Sequence, residues 1–195
     1  TTTTLSIFEK IKTIINKDKQ FFKGVAINAI DSFHKNNLYI KACASKIKSE
    51  QNKLDIPQKL IFSFHGIPQS YIGNDEPYQD ECLQTASLVA KELGLKTSQY
   101  EVAFQSRFGK AEWIKPYLSS RLEELPKEGI KNIHIFCPGF SSDCLETIDE
   151  IGRESKDEFM EHGGESFHFI PCLNSNKDFI EALMDIQSSP NVRLL

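Results

Sequence analysis

What the 195-residue sequence lacks narrows it first. No apolar run approaches the roughly 18–20 residues that a membrane-crossing helix needs, and the opening residues carry no signal-peptide pattern, so a cytoplasmic protein is expected. Basic residues are not in excess. Lys and Arg number 23 against 27 Asp and Glu, a net charge of −4, which argues against nucleic acid as a partner. Cysteine is sparse and its spacing suggests no framework. Cys43, Cys82, Cys137, Cys144 and Cys172 are odd in number, contain no C-x-x-C pair and match no zinc or iron–sulfur pattern, so reduced thiols and no iron–sulfur cluster are expected. Internal repeats are absent, and low complexity is confined to Thr1–Thr4. The remainder, 39% hydrophobic and 26% charged, has the composition of a single folded domain over residues 1–195.

The apolar pattern changes character along the chain. Leu5, Phe8, Ile11, Ile14 and Ile15 stand at helical spacing and predict a helix over Leu5–Asn16. Phe22–Ile30 reads as a strand and Leu38–Gln51 as a second helix, with Asn52–Pro57 as a polar break. From Lys59 onward strands and helices alternate. Lys59–His65 is a nearly continuous apolar run, as in a strand covered on both faces. Glu81–Leu93 is an amphipathic helix with Gly94 at its stop position. Ser98–Gln105, Asn132–Cys137 and Ser166–Ile170 read as strands, and Ile114–Leu125, Cys144–His162 and Lys177–Ile186 as helices. This alternation predicts an α/β fold: a doubly wound, mainly parallel sheet of four to five strands with helices on both faces.

In such folds chemistry sits at the carboxyl ends of the strands. Three strand ends are therefore informative. The first is His65-Gly66-Ile67-Pro68, where a glycine lets the chain turn sharply beside an imidazole. The second is Gln105-Ser106-Arg107-Phe108-Gly109, followed by Glu112-Trp113 and Pro116. The third runs from Pro138 through Asp143 to Glu146 and Thr147, with Asp143 or Ser142 able to cap the helix that follows. Glu146, Glu150 and Glu154 recur at i, i+4 and i+8, one row down a regular helix, where like charges repel. The helix is acidic throughout, so a solvated face explains that row as readily as a chemical role. A His and a carboxylate meeting across one crevice suit a divalent transition metal, and also proton abstraction beside it.

On these residues the chain resembles the second half of a bacterial-type ferrochelatase, the enzyme that inserts Fe²⁺ into protoporphyrin IX. The matching blocks are Phe62–Pro68 with Pro77-Tyr78, Phe104–Trp113 with Pro116, and Cys137–Ile151, followed by Ile170–Asn174. The likeness implies a chelatase-like, Rossmann-like topology. It implies His65 and Glu146 as the catalytic, iron-side pair, Glu150 and Glu154 as a proton or metal path, and Trp113, Tyr78, Ser106 and Arg107 near the porphyrin. Cys144 stands where animal members have His, so no role attaches to it. No prosthetic group is implied; Fe²⁺ and protoporphyrin IX enter as substrates, and peripheral contact with a membrane belongs to the full enzyme.

The first half of the family's fold, the other wall of the cleft, has no match in these residues. The chain begins Thr1-Thr2-Thr3-Thr4 without an initiator Met, which is where the two halves would join. The expectation is a chain that folds and binds metal weakly, but inserts iron poorly or not at all alone. Two other readings stay open: a chelatase for another metal or tetrapyrrole, and a metal- or tetrapyrrole-binding chain without turnover. A serine hydrolase built on Ser141, His65 and Asp143 is disfavoured, because the G-x-S-x-G elbow is missing.

Overall fold

The computed structural model describes residues 2–54, 57–73, 76–188 and 192–194. In chain order these form α1 (Thr2–Lys17), β1 (Asn28–Ile30), α2 (Asn37–Gln51), β2 (Lys59–His65), α3 (Tyr78–Leu93), β3 (Tyr100–Gln105), α4 (Leu118–Lys127), β4 (Asn132–Phe136), α5 (Leu145–Ile148), a π-helical segment (Glu150–Ser155), α6 (Lys156–Glu161), β5 (Ser166–Ile170), α7 (Lys177–Gln187) and β6 (Val192–Leu194). The central sheet has four parallel strands in the order β3-β2-β4-β5, and β1 pairs antiparallel with β6 outside it.

Burial on both faces explains why the central strands are apolar without alternation. On one face Leu60, Phe62 and Phe136 pack against Ile47 of α2 and Val89 of α3. On the other, Ile61, Ile133 and Ile135 pack against Leu122 and Leu125 of α4 and Phe159 of α6. The sheet is thus doubly wound. Winding runs from β2 outward to β3, returns past β2 to β4, and continues to β5. Its direction reverses between β2 and β4, and the crevice of such a fold opens at the carboxyl ends of those two strands. No helix among the described residues is long and apolar enough to cross a membrane.

Three sequence expectations are corrected. The strand expected over Phe22–Ile30 shrinks to Asn28–Ile30, because Phe21 and Phe22 turn back on Asp18 and Gly24 adopts a φ of +80° that breaks extension. The helix expected from Ile114 begins at Leu118. The intervening backbone is used in cross-chain pairing, Ile114 N–H to the Ile67 carbonyl at 3.0 Å and Phe104 N–H to the Pro116 carbonyl at 2.9 Å. The single helix expected over Cys144–His162 is divided: α5 ends at Ile148, a π-helical segment follows, and regular helix resumes at Lys156.

Candidate functional site

His65 closes β2, with Gly66 directly behind it. The Gly66 N–H donates to the Gln105 carbonyl at 2.8 Å. A Cβ at position 66 would lie 3.0 Å from that oxygen and 3.1 Å from Cε3 of Trp113, so any side chain here would push the Gln105 backbone and the indole back by a few tenths of an ångström. The imidazole Nδ1 lies 2.6 Å from the Gly66 carbonyl oxygen. A carbonyl only accepts, so Nδ1 carries the hydrogen and the lone pair of the neutral ring stands on Nε2. The Tyr78 hydroxyl donates to the His65 carbonyl at 2.8 Å, anchoring the strand tip to the start of α3. Burial, chiefly, pushes the Tyr78 phenol up, so it remains a donor.

The loop after β4 brings Glu146 to the same crevice. Cys144 caps α5, its N–H donating to Thr147 Oγ1 at 3.0 Å. Asp143 is tied both to the first turn of α5, where Thr147 Oγ1 donates to its carboxylate at 3.2 Å, and to the loop after β5. Its carboxylate accepts from Asn174 Nδ2 at 2.7 Å and from the Cys172 N–H at 3.0 Å, while Asn174 Oδ1 accepts the Asp143 N–H at 2.8 Å. Burial alone would raise the Asp143 carboxyl, but the hydrogen bonds from Asn174, Cys172 and Thr147 outweigh it and hold it below its ordinary value.

Glu146 itself is exposed to the crevice. Hydrogen bonds from the Cys144 thiol and from its own backbone amide hold its carboxyl below the ordinary value, and the field of His65 acts in the same direction. His65 ends β2 and Glu146 lies in the first turn of α5 after β4, so both stand at the strand ends where the order reverses, near enough for His65 to help lower the Glu146 carboxyl. No group of three or more His, Cys, Asp or Glu side chains among the described residues is arranged to hold a metal.

The other predicted site residues fall into two groups. Trp113 stays with His65: the ring centroids are 6.3 Å apart at 50°, and the indole N–H closes its own loop onto the Phe108 carbonyl at 2.9 Å. Ser106, Arg107, Glu150 and Glu154 instead line an adjoining cavity of about 220 Å³. There the Glu150 carboxylate accepts from the Ser106 N–H and hydroxyl, both at 2.6 Å, and Ser106 adopts a φ of +63°, a left-handed conformation costly for a residue with a Cβ. Arg107 places its guanidinium carbon 4.7 Å from the centre of the Tyr117 ring. Glu154 is exposed and bonded to Arg153 at 3.0 Å. The i, i+4 row expected for Glu146, Glu150 and Glu154 is redirected by the wider π-helical turn, in which the Glu154 N–H donates five residues back to the Asp149 carbonyl at 2.9 Å.

Sequence reasoning missed Gln105, Ser63 and the Asp143–Asn174 clamp. Gln105 alone had a visible signal, an amide that closes the apolar run Val102–Phe104 at the second strand end.

Comparison with known proteins follows this geometry. A family model described as Ferrochelatase matches residues 1–189. A ferrochelatase of Hydrogenovibrio crunogenus is 49% identical over 157 residues, covering 80% of this chain and 42% of that protein. One from Janthinobacterium is 42% identical over 185 residues, covering 95% and 50%. Another, from Actinobacillus pleuropneumoniae serotype 3, is 43% identical over 182 residues, covering 93% and 54%. The chain spans about half the length of the curated relatives it matches.

Proposed function

The chain belongs to the ferrochelatase family, and on that premise we propose that it forms the metal-side wall of a cleft where Fe²⁺ is inserted into protoporphyrin IX to give protohaem. The observation that supports this reading is the placement of both residues at the reversal point of the sheet, His65 with Nδ1 turned to the Gly66 carbonyl and Glu146 with a carboxyl that His65 helps to lower.

The chemistry asks for such a pair. A free-base porphyrin carries two pyrrole N–H protons in a flat ring, and a metal enters only as they leave. An imidazole with its lone pair on Nε2 can accept a pyrrole proton. The Glu146 carboxylate, kept ionised by its hydrogen bonds, attracts the dication and stabilises the imidazolium as it forms. With two protein donors at most, the metal is held loosely enough to be handed on, and water completes its shell. Binding of the macrocycle against Trp113 favours a geometry bent toward the metallated one. Tyr78 holds the His65 strand tip, while Glu150 and Glu154, beside Ser106 and Arg107, provide a route for protons or metal leading away from Glu146.

The test is anaerobic Fe²⁺ insertion into protoporphyrin IX, followed as haem absorbance, in a hybrid where residues 1–189 replace the matching half of a relative. His65→Ala and Glu146→Gln are expected to abolish turnover while porphyrin titration still shows binding. Parent-like rates for either variant would remove that residue from the reaction.

A further inference from the structure

Gln105 ends β3 and is 4% exposed, and it is bonded to both sides of the crevice. In register it lies opposite His65, and its backbone carbonyl holds the N–H of Gly66 at 2.8 Å, so it fixes the strand tip on which the imidazole stands. Its side-chain amide donates to the Glu146 carbonyl at 2.7 Å and to the Glu150 carboxylate at 3.5 Å, so it also fixes the turn that presents Glu146. The amide is not free to flip. The buried Ser63 hydroxyl donates to its Oε1 at 2.7 Å and the buried Cys137 thiol at 3.5 Å, which commits the NH₂ end to the two glutamates.

We propose that Gln105 is the positioning residue of the His65–Glu146 pair: its main chain sets one member, its amide the other, and the length of one side chain sets the distance between them. The inference rests on the reading of His65 and Glu146 as the metal-side pair. The residue type follows from the contacts. Asparagine is one methylene short of the span, glutamate has no hydrogen to give to a carbonyl or to Glu150, and leucine fills the volume but leaves the Ser63 hydroxyl and Glu146 carbonyl unpaired.

The experiment titrates the 195-residue chain with Co²⁺, whose d–d absorption reports both affinity and ligand geometry, and records thermal melting alongside. Partners that orient metal ligands from behind are worth about 10–100-fold in affinity. Gln105→Leu is therefore expected to weaken Co²⁺ binding by about that factor and to shift the band. Ser63→Ala should act in the same direction but less, and the double variant should be no weaker than Gln105→Leu, because Ser63 acts through the amide. Native affinity and band position in Gln105→Leu would overturn the proposal. So would additive effects of the two substitutions, or losses of affinity that track melting temperature with an unchanged band. Should Gln105→Leu fail to fold, Ser63→Ala decides alone, and native binding overturns the proposal. If the parent chain binds no Co²⁺, or His65→Ala and Glu146→Gln bind it like the parent, the pair reading itself fails whatever Gln105 does.

Discussion

β2 and β4 are hydrogen-bonded neighbours, and each carries one histidine. His134 lies in the middle of β4 opposite Leu60, is 2% exposed, and packs edge-on against His168 of β5 with ring centroids 5.1 Å apart. Its Nδ1 has no hydrogen-bond partner among the described residues. Burial, reinforced by His168, pushes its pKa down to about 4. His65 stands at the tip of β2, where Nδ1 is held by a backbone carbonyl and the side chain is near enough to Glu146 to help lower its carboxyl. The same side chain is core material in mid-strand and, on the proposed reading, a reactive group at the strand end. Position along the strand, rather than the strand or the residue, makes the difference.

The largest expected effect breaks the reactive side of this comparison. His65→Ala and Glu146→Gln should each slow iron insertion by about 10²–10⁴-fold, the range of a lost proton-transfer group, while His134→Leu leaves the rate within about a factor of two. Rates that fall equally for His65 and His134 variants would erase the distinction.

The second effect belongs to His134 and is one of stability. An unfolded histidine titrates near 6.5, whereas the folded one stays neutral down to about 4. Between these values the unfolded chain binds the extra proton, so stability is complete above about pH 6.5 and declines as pH falls toward 4, by up to about 3 kcal/mol. His168 is shifted the same way, by burial and by Lys53, Lys156 and Lys46 against the opposing pull of Glu50, and steepens the decline. Denaturant midpoints of parent and His134→Leu measured at about pH 7.5 and about pH 5 test this. The variant should lose most of the difference between the two conditions, and an unchanged difference would assign the acid sensitivity elsewhere.

Smaller effects sharpen the reactive side. Tyr78→Phe removes the hydrogen bond to the His65 carbonyl and should cost about 1 kcal/mol of stability, read as a shifted unfolding midpoint without loss of metal affinity. Glu154→Gln should change the rate least, well under the tenfold that about 1.4 kcal/mol represents. Severity equal to Glu146→Gln would instead place Glu154 in the reaction itself.

Sequence patterns made most of the fold legible, for a physical reason. Strands buried on both faces show as nearly continuous apolar runs such as Lys59–His65, and a helix stop in the left-handed region shows as Gly94, with φ +71°. The strand-end positions of His65 and Glu146 were legible, because a turn motif follows each strand, and the structure places them there. The features that escaped depend on neighbours remote in sequence. The left-handed φ at Ser106 is sustained by Glu150, the π-helical segment meets the sheet through Gly152 against Phe169, and Asp143 reaches Asn174 as well as Thr147 of α5. No local pattern encodes these. Ile114 shows the converse: its apolar character belongs to a buried bridge rather than to the helix that periodicity suggested.

The hydrogen bond from His65 Nδ1 to the carbonyl of Gly66 has a further consequence. Where a histidine's tautomer is set by another side chain, one substitution can reverse which nitrogen carries the proton. Here the acceptor is main-chain oxygen, which no exchange of another side chain deletes. The surroundings of the pair are therefore free to vary, altering affinity, metal preference or the shape of the cleft, while the identity of the basic nitrogen is inherited unchanged.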